Sequence, residues 1–129
     1  MVLCRIRFAA PPTGALRWQA PQPPIPNRDK LLKAEEFGAA CPHSLRSGQY
    51  NRTLPDRISE DCLFVNVWAP KHKSKSGLPV FVNIHGGGYG VGDGREDLSG
   101  LVNANNSSFV AVNVQYRVSP AFVSSMWMS

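Results

Sequence analysis

Apolar residues along this chain gather in short blocks instead of the three-and-four spacing of amphipathic helices. Cys62-Leu63-Phe64-Val65-Asn66-Val67-Trp68, Val80 to Ile84, and Phe109-Val110-Ala111-Val112-Asn113-Val114-Gln115-Tyr116 are β-branched and aromatic runs of strand length, so they predict strands. The latter two are apolar on both faces, the pattern of central strands in a sheet covered by helices. Little helix is available to cover them. Asp97-Leu98-Ser99-Gly100-Leu101-Val102-Asn103-Ala104 predicts a short helix between the last two strands, and a second short candidate lies around Lys30 to Glu36. Otherwise the stretch from Ala9 to about Ser59 shows no sustained period. Pro11, Pro12, Pro21, Pro23, Pro24 and Pro26 exclude regular helix from its first part. So long an aperiodic stretch is uncommon inside a compact domain, and it reads as a segment that wraps over a scaffold larger than itself. The pattern predicts an α/β fold in which the strands are present and most of the covering layer is missing, without internal repeats.

Composition narrows this picture only a little. The 129 residues are 43% hydrophobic and 18% charged, within the range of globular domains. The formal charge of +5 would suit an acidic partner, but the basic residues are scattered. Only Lys71, His72, Lys73 and Lys75 cluster, just before Gly77, and we read them as a solvated turn and not as a nucleic-acid patch. No apolar run is long enough to span a membrane. No secretory leader is expected in the chain as it stands, because Arg5 and Arg7 arrive before an apolar stretch of leader length. Three cysteines leave one over after any pairing. We favour Cys41 with Cys62, a loop whose closure would contribute about 3 kcal/mol of chain-entropy stabilisation in an oxidising compartment, with Cys4 the spare thiol. Glycosylation sequons occur at Asn51, Asn105 and Asn106, and they carry meaning only if the chain is secreted.

Candidate chemistry sits where the second predicted strand ends, in Ile84-His85-Gly86-Gly87-Gly88-Tyr89-Gly90. Three successive glycines let the backbone take positive φ and let a ligand approach its N–H groups, which a row of Cβ atoms would prevent. An HGGG turn of this kind is an oxyanion element of lipases and esterases. No G-x-S-x-G occurs anywhere in the chain, so no nucleophile elbow accompanies the turn. A nucleotide site fails on spacing, since no G-x-G-x-x-G can be read through Gly86 to Gly94 and no Gly-Lys-Ser/Thr follows.

Four blocks then resemble the type B carboxylesterase/lipase family in order and spacing: Arg7-Phe8-Ala9-Ala10-Pro11-Pro12-Thr13-Gly14-Ala15-Leu16-Arg17-Trp18, Ser59-Glu60-Asp61-Cys62-Leu63-Phe64-Val65-Asn66-Val67-Trp68, His85-Gly86-Gly87-Gly88, and Val112-Asn113-Val114-Gln115-Tyr116-Arg117. The resemblance implies an α/β-hydrolase fold, of which residues 1–129 supply an amino-terminal, partial sheet without the nucleophile-elbow half. It implies that Gly87 and Gly88 donate backbone N–H groups to an oxyanion, with His85 and Gly86 shaping the turn. Cys41 and Cys62 match the family's first disulfide, and Arg17 with Glu60 is implied to be a buried ion pair that pins the amino-terminal wrap to the sheet. The intact protein would be a secreted serine hydrolase acting on small-molecule or lipid esters without a cofactor. Residues 118–129 diverge from the family pattern, and both ends look cut. The chain alone, lacking serine, acid and histidine of a triad, is expected to be inactive and to aggregate through an uncovered strand edge. A non-catalytic cholinesterase-like binding module, a truncated pseudoenzyme and a regulatory short isoform are the alternatives.

The remaining polar residues receive plainer readings. His43 and His72 are expected to be solvated, and His85 is read as structural. Asp93, Glu96 and Asp97 are read as acids favoured near a helix amino-terminus. Ser107 and Ser108 lie in an Asn-rich loop with no base assigned to them. The three cysteines and three histidines show no metal-ligand spacing.

Overall fold

A computed structural model of the chain describes residues 1–26, 33–43, 58–71 and 77–118. Among them are β1 (Val2–Arg7), a 3-10 turn (Gly14–Leu16), β2 (Phe64–Trp68), β3 (Val80–Ile84), α1 (Ser99–Ala104) and β4 (Val110–Val114). The strands form one mixed sheet in the order β1-β2-β4-β3. β1 and β4 both run antiparallel to β2, while β3 runs parallel to β4, with α1 as the crossover between them. The three strands expected from the apolar blocks and the helix at Ser99 are present. β1 is a strand that the pattern did not announce, because two arginines interrupt it. Arg5 sits at φ 55° where the register with β2 shifts, and its N–H leaves the ladder to bond Asn66 Oδ1 at 2.9 Å. The candidate helix around Lys30 to Glu36 lies partly outside the described residues, and residues 33–36 of it are not helical.

The two faces of the sheet differ sharply. Phe64, Asn66 and Trp68 of β2 are buried on one face, and register puts Asn113 and Ala111 of β4 beside them. Here α1 and the chain leading into it supply the cover, with Leu98 and Val102 packed against Trp68 and Ala111 and flanked by Phe37 and Phe109. On the opposite face Val65, Val67, Val110, Val112 and Val114 are only half-buried. Register adds Val80, Val82 and Ile84 of β3 to that face, and these are exposed, Ile84 to 70%. The strand expected to be central is therefore an edge among the described residues. Its apolarity on both faces is real, but nothing described here packs on its outer side.

A second small core surrounds the disulfide. Cys41 and Cys62 are bonded, with Cα atoms 5.1 Å apart, and are packed with Ala9 and Leu63. The amino-terminal wrap is held here by arginines. Arg7 makes a two-pronged ion pair with Asp61 at 2.5 and 2.8 Å and lies over the Phe64 ring, and Arg117 donates to the carbonyls of Arg17 and Gln19.

Candidate active site

β3 delivers the chain to its carboxyl end at Ile84, and the turn begins there. The His85 imidazole stacks on the Tyr116 ring with centroids 4.2 Å apart, and the Tyr116 hydroxyl donates to the His85 carbonyl. His85 Nδ1 lies 2.9 Å from the Gly86 carbonyl, a contact that requires the proton on Nδ1. The histidine is thus engaged as a structural wedge between the strand and the turn.

Beyond it the backbone leaves the regions that side chains favour. Gly87 has φ +135° and Gly88 +60°, and Tyr89 continues at 63°. The Gly87 carbonyl accepts from the N–H groups of Gly90 and Val91, which closes the turn. A Cβ at Gly87 would stand 1.8 Å from the Val91 carbonyl oxygen, and one at Gly92 would meet both the Gly86 carbonyl and the His85 ring at 2.4 Å. Gly86, Gly87 and Gly88 are exposed, and among the described residues no hydrogen bond draws on their amides. Exposed N–H groups held in a closed, strained turn can donate to an incoming anionic oxygen without first breaking a bond.

Beneath the turn runs a support that sequence reasoning missed. Asn66, Asn113 and Asn83 lie side by side on β2, β4 and β3, and Asn83 donates to Asn113 at 3.1 Å. Asn66 donates to the Gly94 carbonyl at 2.8 Å, Gln115 Oε1 accepts from the Gly94 N–H at 2.6 Å, and Asn113 donates to the Glu96 carbonyl at 3.3 Å. These amides bind the segment after the glycine turn to the covered face of the sheet. The only signal in the sequence was their spacing, a polar residue recurring on one parity of otherwise apolar runs.

The acids differ from one another. Burial pushes the Asp93 carboxyl up, but the hydrogen bonds and charge of Arg95, 3.1 Å away, outweigh it and hold the group below the usual carboxylate range, with a contribution from His43. Asp93 is therefore an ion-pair partner and not a helix cap. Asp97 fits the capping reading: it accepts from the Ser99 N–H at 2.8 Å and from the Trp68 indole at 2.9 Å, and the Ser99 bonds chiefly lower its pKa. Glu96 is exposed and contributes its carbonyl instead.

Two expectations need correction. The Arg17 guanidinium does pair with Glu60, at 2.6 and 3.0 Å, but the side chains are 48% and 39% exposed, so this is a surface pair. It lies at the outer rim of the wrap, where no element among the described residues covers it. His43 is half-buried and not fully solvated: its Nε2 is shielded from solvent and has no partner among the described residues. Cys4 is free and buried, and burial raises its thiol pKa, so it is held as the unreactive thiol. Asn105 and Asn106 are exposed beyond α1, whereas Asn51, His72, Lys73 and Lys75 lie outside the described residues. Among the described residues no cluster could hold a metal ion, and no helix is long and apolar enough to cross a membrane.

A glycine turn with unengaged amides, carried at the carboxyl end of a parallel strand, is the arrangement of ester-cleaving α/β-hydrolases, and the sheet is a partial version of that fold. The chain belongs to the carboxylesterase family, whose profile matches residues 4–125. It is 41% identical over 116 residues to the para-nitrobenzyl esterase of Bacillus subtilis, covering 89% of this chain and 23% of that protein. Mouse carboxylesterase 1C is 36% identical over 126 residues, covering 91% and 22%. Among solved structures, a thermophilic PNB esterase superimposes with TM-score 0.79 at 38% identity, covering 92% of this chain and 24% of that one. Aspergillus niger EstA gives 0.76 at 37% identity, with 91% and 22% covered. The chain thus spans less than a quarter of the length of these relatives.

Proposed function

We propose that these 129 residues supply the oxyanion-stabilising turn of a serine carboxylic-ester hydrolase, and that they do not turn over ester by themselves. The carrying observation is the set of unengaged amides at Gly86 to Gly88, presented at the carboxyl end of β3. In such a reaction a serine oxygen attacks the ester carbonyl, and the carbonyl oxygen gains negative charge as the carbon becomes tetrahedral. The Gly87 and Gly88 N–H groups donate to that oxygen, and the Tyr116–His85 contact keeps them aimed. Donors of this kind are worth about 100- to 1,000-fold in rate apiece. Polarising a carbonyl does not attack it, so the serine, its base and the acid must come from sequence beyond the elbow-free residues 1–129. The substrate class is a carboxylic ester, and the Cys41–Cys62 disulfide supports passage through an oxidising, secretory compartment.

The test is complementation. The 129-residue chain is mixed with a para-nitrobenzyl esterase polypeptide lacking its matching first quarter, and hydrolysis of a para-nitrobenzyl ester is followed. Neither piece alone should react, and the mixture should show activity that a serine-directed reagent abolishes. Gly87→Ala in the chain should lower that activity about 100-fold or more. Serine-reagent-sensitive turnover by the unmixed chain would overturn the proposal, as would full activity with Gly87→Ala.

A further inference from the structure

We propose that Asn106 is an N-glycosylation acceptor and that Asn105, in the overlapping sequence Asn105-Asn106-Ser107-Ser108, is the helix cap and carries no glycan. This rests on the secretory reading above. Both asparagines are exposed and both have serine two residues on, so sequence alone does not separate them. Their side chains do different things. Asn105 Nδ2 donates to the Leu101 carbonyl at 2.9 Å, satisfying one of the carbonyls that the end of α1 leaves open. A sugar on Asn105 would replace a hydrogen of that working amide and set the first residue of the glycan against the last turn.

Asn106 sits at φ +51° and Ser107 at +55°, two successive left-handed residues that carry the chain out of the helix. The turn is already closed by backbone bonds from Asn106 to Asn103, from Ser107 to Val102 and from Ser108 to Asn105. Among the described residues the Asn106 side-chain amide bonds nothing, so a glycan there breaks no hydrogen bond that those residues make. Ser108, the hydroxyl its sequon needs, is exposed, whereas Ser107, needed for Asn105, is half-buried.

The location also suits an enzyme. Val110 pairs with Val80 and Ile84 with Val114, so the Asn106 loop enters the sheet at the end opposite the glycine turn. Strands of that length separate the two by roughly 15 Å, so a glycan at Asn106 leaves the turn open. The donor is a lipid-pyrophosphate-linked oligosaccharide delivered by an oligosaccharyltransferase. A bond forms between Asn106 Nδ2 and the anomeric carbon, the anomeric C–O bond breaks, the lipid pyrophosphate leaves with the electron pair, and the amide gives up one proton.

The full chain, carrying a cleavable secretory leader, is expressed in eukaryotic cells, and its peptides are mapped after enzymatic deglycosylation in heavy-oxygen water. The leader supplies the route, so the map reports acceptor choice alone, while the location of the unfused chain reports the secretory reading separately. Heavy-oxygen aspartate is expected at position 106 and not at 105. Ser108→Ala should abolish the glycan and Ser107→Ala should leave it. A glycan on Asn105, or neither residue modified, overturns the proposal.

Discussion

Charge at single residues gives this chain a pH-dependent component of stability. Asp97 has its pKa lowered from the ordinary 3.8 by its Ser99 and Trp68 hydrogen bonds. A carboxyl with a depressed folded pKa binds its proton more weakly folded than unfolded. It therefore contributes stability above the unfolded value and loses it as pH falls through the folded one. Asp97→Asn should be less stable than the parent at pH 7, and the gap should close below pH 3.8. Urea unfolding at low protein concentration, at both pH values, reads this directly, and a gap that persists in acid would assign the effect to shape instead. Arg17 and Glu60 make the converse case. Exposed charges are screened by water and salt, so a double-mutant cycle should show weak coupling that fades with ionic strength. Strong, salt-resistant coupling would mean that the pair is covered in solution.

Among the elements, the disulfide does what short strands cannot. It joins residues 21 apart and ties the wrap to the start of β2, where among the described residues Ala9 and Leu63 complete the local core. Replacing both cysteines by serine should cost about 3 kcal/mol, read as a lower urea midpoint that reductant does not lower further. An unchanged midpoint would show that the wrap is held instead by the Arg7–Asp61 pair and by Arg117. The glycine turn is likewise an element-scale object, because Tyr116 holds the strand end before it and the Asn66–Asn113–Asn83 row holds the segment after it.

Seen as a whole molecule, the sheet has one covered face and, among the described residues, one bare one. The bare face carries a run of valines and ends in the edge of β3, unpaired among the described residues, whose residues Val80 to Ile84 include no charge and no proline. Nothing on that edge discourages another chain from pairing with it. The isolated chain should therefore self-associate, and Val82→Lys, which sets a charge on the edge strand, should lower the associated fraction measured by light scattering. A parent chain that sediments as a monomer would count against this, and so would a lysine variant that associates equally.

Three of the four strands, the short helix, the glycine turn and the family could be read from the sequence alone, because each depends on local chemistry: β-branched runs favour extended backbone, and three glycines in a row permit positive φ where other residues would clash. Only tertiary structure decided the rest. That β1 completes the other side of the sheet, that Arg17–Glu60 is exposed and that the His43 Nε2 is shielded are facts about what lies alongside, and a linear pattern carries no neighbours. The buried amide row is the clearest instance. Asn66, Asn83, Asn113 and Gln115 look like interruptions in apolar strands until register places the first three side by side and the returning chain gives them carbonyls and an N–H to bind. Burial of a polar group is tolerated only with a partner, and which partner arrives is settled by the fold.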